Sequence, residues 1–147
     1  MQQRMNIATA APALYKAVYG LEVAVLNSGF DKNLLHLIKI RASQINGCAY
    51  CVDMHVKEAL AAGLPDRKLH LIAVWRESPL FDSRERAALE WTESVTLVAQ
   101  TGVPDAVYES VRGVFSEEDL ARLTVAIGTI NVWNRIAVSS RLIHPVD

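Results

Sequence analysis

An all-α fold is predicted for this chain by three observations. Apolar residues recur at three- and four-residue steps over most of its length. Gly, Pro and capping residues cut that periodicity into helix-sized pieces, and no segment alternates convincingly as a strand does. At 147 residues the chain fits one domain, 1–147, long enough to bury about two-thirds of its unfolded surface without disulfide staples. No linker, internal repeat or low-complexity segment divides it.

From Pro12 to Leu26, the residues Leu14, Val18, Leu21 and Val25 mark a first helix, stopped by Ser28-Gly29. A second carries Leu34, Leu37, Ile38 and Ile45 and ends at Asn46-Gly47. Cys48 to Ala62 makes the third, closed by Gly63 and by Pro65 just beyond. A short helix, Arg67 to Trp75, precedes the Ser78-Pro79 break. Asp82 with Glu85 three residues on reads as a capping box for a helix running to about Gln100. Pro104-Asp105 can open another short helix. The last begins at Ser116-Glu117-Glu118-Asp119, acidic in its first turn, and continues through Leu120, Leu123, Ile127 and Ile130. It is apolar on more than one face, and 51% of the chain is hydrophobic, so self-association is expected. The alternative is a helix buried at the centre of a monomeric bundle.

The net charge is −1 and no Lys/Arg run or basic stripe appears, which speaks against nucleic acid or an anionic membrane as a partner. Arg122, Asn131, Asn134 and Arg135 interrupt the longest apolar region, Leu120 to Ile143, so no membrane span is expected. The N-terminal residues lack the sustained apolar core of a signal peptide. The two cysteines, at CxxC spacing, suit a reducing compartment where the pair cycles or binds metal, and the expected location is cytoplasmic.

Chemistry concentrates at Cys48, Cys51 and His55, which fall on one face if a helix starts just after Asn46-Gly47. The unpaired N–H groups and positive end of a helix N-terminus lower a thiol pKa, and a His one turn on can exchange its proton. A second Cys at i+3 can attack a sulfenic acid formed on the first and close a disulfide. Cys51 lies one turn from His55, whereas Cys48 sits nearer the helix end, so the order of attack stays open. Zinc is a competing explanation, but a structural site usually wants a fourth ligand, available only if His36, His70 or His144 approached through the fold. The remaining alternative is two buried structural cysteines.

His36 reaches the thiols if the second and third helices form a hairpin; otherwise it is a surface or structural histidine. Glu58 either orients the His55 imidazole or stands as an exposed charge, the commoner use of such a residue. Asp53 points away by helical phase. Tyr50 can line an entrance or pack at a subunit contact, and Trp75, Trp91 and Trp133 are expected in the core or an interface. Arg135 either holds an anionic group or, the commoner use, makes a helix-terminal or intersubunit ion pair. No Gly-rich phosphate loop occurs, and neither a metal nor an organic cofactor is expected.

The segment Leu35 to Gly63, with Lys39-Ile40-Arg41-Ala42-Ser43-Gln44-Ile45-Asn46-Gly47-Cys48-Ala49-Tyr50-Cys51-Val52-Asp53-Met54-His55, resembles the core of alkylhydroperoxidase D (AhpD)-like proteins of the carboxymuconolactone decarboxylase superfamily. Trp75-Arg76-Glu77-Ser78-Pro79 and Asn131-Val132-Trp133-Asn134-Arg135-Ile136-Ala137 resemble further segments of the family, so the likeness covers nearly the whole chain. The resemblance implies an AhpD-like helical bundle assembled into trimers or hexamers. It also implies a thiol-dependent peroxide or disulfide reductase that takes a hydroperoxide and is restored by an external dithiol or thioredoxin-like reductant. The family motif places a proton-relay Glu twelve residues before the first Cys and often a His between the cysteines; here His36 and Tyr50 stand at those positions, while Cys48, Cys51 and His55 match. The expected site is therefore Cys48, Cys51, His55 and His36, with the imidazole of His36 in place of the carboxylate. A lactone decarboxylase-type enzyme with bystander thiols and a non-enzymatic redox-sensing oligomer are the alternatives.

Overall fold

Nine α-helices and one 3₁₀ segment supply all the regular structure of residues 1–146, which the computed structural model describes. In chain order they are α1 (Ile7–Ala10), α2 (Pro12–Leu26), α3 (Lys32–Ile45), α4 (Ala49–Ala61), α5 (Asp66–His70), the 3₁₀ segment (Ile72–Glu77), α6 (Ser83–Thr96), α7 (Val98–Thr101), α8 (Asp105–Arg112) and α9 (Glu117–Ser140). They form a single all-α domain.

The helices stop and start where side chains can satisfy their free backbone groups. Asp31 accepts from the amides of Asn33 and Leu34 to open α3. Asp82 and Glu85 make the reciprocal capping box at the head of α6, both bonds 2.9 Å. Ser116 caps α9, whose first turn carries Glu117, Glu118 and Asp119 against its positive end.

Three expectations are corrected. The short α1, capped by Asn6, precedes the first predicted helix. The stretch expected as one helix from Arg67 to Trp75 is α5 followed by the 3₁₀ segment, which is kinked at Val74, where φ −123° leaves the helical region. The helix expected to run to about Gln100 breaks at Leu97 and restarts as α7, which ends on Gly102 in the left-handed conformation. The Thr101 hydroxyl donates to the Ser94 carbonyl at 2.7 Å and takes one of the acceptors that the break releases.

Helix α3 lies at the centre, packed against α4, α6 and α9. Leu37, Ile38 and Ile40 of α3, Leu89 of α6 and Leu123 and Ile127 of α9 are fully buried in one core. Trp75 and Trp91 join it, and Glu93 ties Arg41 of α3 and the Trp75 indole together at 2.9 and 2.8 Å. Helix α2 behaves differently: it packs on α1 and α9, and only Val25 is buried, so most of it stands at the edge of the core. No described helix is long and apolar enough to cross a membrane.

Candidate active site

Where α3 hands over to α4, the turn Asn46-Gly47-Cys48 is held from two sides. Gly47 takes φ +65°, a conformation costly for a side-chain-bearing residue, and the Cys48 amide donates back to the Ser43 carbonyl at 2.9 Å. From α9, Asn131 and Asn134 accept from the Asn46 side-chain amide at 3.0 and 2.9 Å, and Asn134 donates to the Ser43 hydroxyl at 2.9 Å. Asn134 is 1% exposed, so its amide is spent on internal bonds.

Cys48 is the N-cap of α4 rather than its first turn: its sulfur accepts from the Cys51 amide at 3.3 Å. Cys48 and Cys51 form a disulfide across a Cα–Cα distance of 5.3 Å, and each is 2% exposed. The two residues line different sides. Cys51 lines a cavity of about 490 Å³, while Cys48 lines an outer groove with Asp53 and the C-terminal His144.

The cavity takes one stripe from each of four helices. Helix α2 contributes Tyr15, Tyr19, Glu22 and Leu26; α3 contributes Lys32, Leu35, His36 and Lys39; α4 contributes Tyr50, Cys51, Met54, His55 and Glu58; α9 contributes Trp133, Ile136 and Ala137; Leu142 follows. Those spacings are helical, so each helix turns a single face inward. Tyr15 meets Trp133 edge-on, ring centres 5.4 Å apart, which places Trp133 in the cavity wall rather than in the core. The volume is that of an organic small molecule.

His55 is buried, and its Nδ1–H donates to Glu58 Oε2 at 2.9 Å. An ionised carboxylate accepts only, so this bond protonates Nδ1 and leaves Nε2 as the free basic nitrogen. Glu58 thus orients the imidazole while remaining half exposed, which corrects the expectation of a plain surface charge. Its pKa lies below the ordinary carboxylate value: the His55 hydrogen bond lowers it, burial opposes, and the charges of His55, Lys39 and His36 add to the lowering. His36 shares the cavity, and burial lowers its pKa; Glu58 pulls it up, while Lys39 and His55 push it down. Cys51, His55 and His36 therefore come together, with Cys48 behind them.

Two functional-looking groups escape the sequence. Lys39 is 4% exposed and forms an ion pair with Glu22 inside the cavity wall. The signal was there: Lys39 lies three residues after His36 and Glu22 seven after Tyr15, positions on the faces that line the cavity, but isolated charges on amphipathic helices ordinarily face water. His70 pairs with Asp66 on the exposed face of α5. Arg135 spends its guanidinium on the Asn131 carbonyl and amide oxygens, at 3.0 and 2.9 Å, instead of on an ion pair. Among the described residues no three His, Cys, Asp or Glu side chains are grouped to hold a metal.

The model of the carboxymuconolactone decarboxylase family matches residues 10–94. An uncharacterized Bacillus subtilis protein, YdfG, is 37% identical over 139 residues, which span 95% of each chain. A crystal structure of a protein of unknown function from Agrobacterium tumefaciens, provisionally described as the antioxidant defence protein AhpD, is 52% identical. It superposes with a TM-score of 0.97, covering 99% of this chain and 100% of that one. The debrominase Bmp8 shares the fold at a TM-score of 0.85 and 19% identity, over 94% of this chain and 74% of its own.

Proposed function

The chain belongs to the carboxymuconolactone decarboxylase family, in its AhpD-like branch, and from that premise we propose that it is a thiol-dependent reductase of organic hydroperoxides. One observation carries the reading: Cys51, bonded to Cys48, opens into the same cavity as the His55–Glu58 pair. In the reduced enzyme His55 Nε2 takes the Cys51 proton. The thiolate attacks the terminal oxygen of ROOH and the O–O bond breaks. The leaving alkoxide takes the proton back and departs as ROH, with Cys51 left as a sulfenic acid. Cys48 then attacks the Cys51 sulfur and expels hydroxide, which leaves as water with the Cys48 proton, and the disulfide closes. The sum is ROOH plus two thiols giving ROH, water and a disulfide, and an external dithiol or thioredoxin-like protein reopens it.

Helix α4 supports both thiols. Cys48 at the N-cap and Cys51 in the first turn face the positive end of the helix, and the Cys51 amide already points at the Cys48 sulfur. Burial lowers the His36 pKa and so favours the neutral imidazole, which would join the relay as an acceptor rather than as a cation. Assembly of several copies is part of the proposal, supported by the exposed apolar residues of α2 and α9.

Intact mass before and after stoichiometric cumene hydroperoxide tests the chemistry. The reduced protein should lose about two mass units, and Cys48→Ser should instead gain about sixteen as the trapped Cys51 sulfenic acid. Thiols that stay reduced would sink the reading. If the Cys48→Ser/Cys51→Ser double variant still turned over its substrate, the thiols would be bystanders and a decarboxylase-type reaction would replace it.

A further inference from the structure

The ion pair of Glu22 and Lys39 leaves one acceptor unused. Glu22 Oε1 meets the Lys39 ammonium, whereas Glu22 Oε2 is buried in the cavity wall with no hydrogen-bond partner among the described residues. An unpaired buried carboxylate oxygen is costly, on the order of 1–3 kcal/mol or more, and such atoms in native structures are ordinarily met by a ligand or an ordered water. It lies on α2, a long helix with Val25 as its one buried residue and a wall distinct from α4, which supplies Cys51 and His55.

We propose that Glu22, held in place by Lys39, is a specificity residue that accepts a hydrogen bond from a hydroxyl on the substrate. The reductase's natural substrate would then be an apolar hydroperoxide carrying a neutral donor group besides its O–O function. The rest of the cavity defines the class. Tyr15, Trp133, Leu35 and Met54 suit an apolar, ring-bearing body. A cationic donor is opposed by Lys39, paired with Glu22, and by Lys32 in the same cavity lining, and an anionic one by Glu22 itself, so the matching group is uncharged. This inference rests on the reading of the cavity as the reductase's substrate site, but its test needs binding alone.

The probes are product alcohols: 2-phenylpropan-2-ol and its derivatives with a hydroxymethyl group at the meta or para ring position, titrated by calorimetry into the oxidised protein. One hydroxymethyl isomer should bind about tenfold tighter than the parent, the scale of a hydrogen bond to a charged acceptor. In Glu22→Met/Lys39→Met the difference should fall to within about twofold. Removing both charges together leaves no orphan ion and keeps the side-chain volume, so the fold is retained. Equal affinities in the wild type, or a preference that survives in the double variant, would overturn the proposal; equal affinities also mean that water alone meets Glu22. Hydroperoxide turnover, measured separately, distinguishes the two readings. Preference without turnover upholds this one and removes the reductase. Turnover without preference does the reverse.

Discussion

At the scale of single residues the site turns on which group holds His55. The family pattern puts a carboxylate on α3, at the position of His36, yet the carboxylate bonded to His55 comes from Glu58, three residues along the same helix. In the proposed reductase the carboxylate that serves the imidazole would therefore stand on α4 rather than on α3. Glu58→Gln should therefore lower kcat/KM by about ten- to a hundredfold, since a neutral amide stabilises the imidazolium poorly. His36→Gln should lower it less than about tenfold; a larger loss than in Glu58→Gln would return the relay to α3. His36 also makes a prediction about acid. Its folded pKa lies below the ordinary value of 6.5, so the unfolded chain takes up a proton that the folded chain refuses. That contribution is complete above pH 6.5 and is lost as the pH falls through the unfolded and then the lower folded value. Melting temperatures from about pH 7.5 to about pH 5.5 should fall more steeply for the wild type than for His36→Gln. Parallel curves would show that His36 is not penalised for its charge.

At the scale of elements, the sequence announces helix ends better than helix faces. The Asp82–Glu85 box, the Asn46-Gly47 turn and the Gly63 stop are local chemistry, readable from a few adjacent residues, and the structure has helix boundaries at each. The break at Leu97 is not so readable, because what stabilises it is a contact from Thr101 back to Ser94 across the kink. The same distinction divides the site. Cys48, Cys51 and His55 share one helix and declare themselves by spacing, whereas Glu22 and Lys39 come from separate helices, and only packing shows that they meet. The turn that presents the thiols likewise depends on α9, through Asn134 and its bonds to Asn46 and Ser43. Asn134→Ala leaves an amide and a hydroxyl short of partners inside the protein and should cost about 1–3 kcal/mol in urea unfolding. Asn134→Asp keeps an acceptor for Asn46 but loses the donor to Ser43, so it should also destabilise. An unchanged unfolding midpoint in the Ala variant would show that water replaces the amide.

At the scale of the whole molecule, the longest helix has too little to cover it. Helix α9 buries Leu123, Ile127, Ile130 and Asn134 on its inner face, yet Ala121, Val125, Gly128 and Val132 fall on the opposite face at helical spacing, exposed and without a charge among them. Val125 and Val132 are 48% and 37% exposed, and apart from the helix's own neighbouring backbone nothing among the described residues lies within 4 Å of a Cβ built on Gly128, so a second helix could approach its backbone closely. A polar outer face would be the rule for a helix of a monomer. Light scattering should therefore give a mass several times 16.2 kDa, with three or six copies as the values that the family resemblance implies. Val125→Glu/Val132→Glu places two like charges on that stripe and should return the particle to one copy, with the helical circular dichroism signal retained. The cavity lies beside this surface, with Trp133 next to Val132, so loss of assembly should also weaken binding of 2-phenylpropan-2-ol. A wild-type protein that scatters as a single copy would leave the outer stripe of α9 an exposed apolar surface with no structural role.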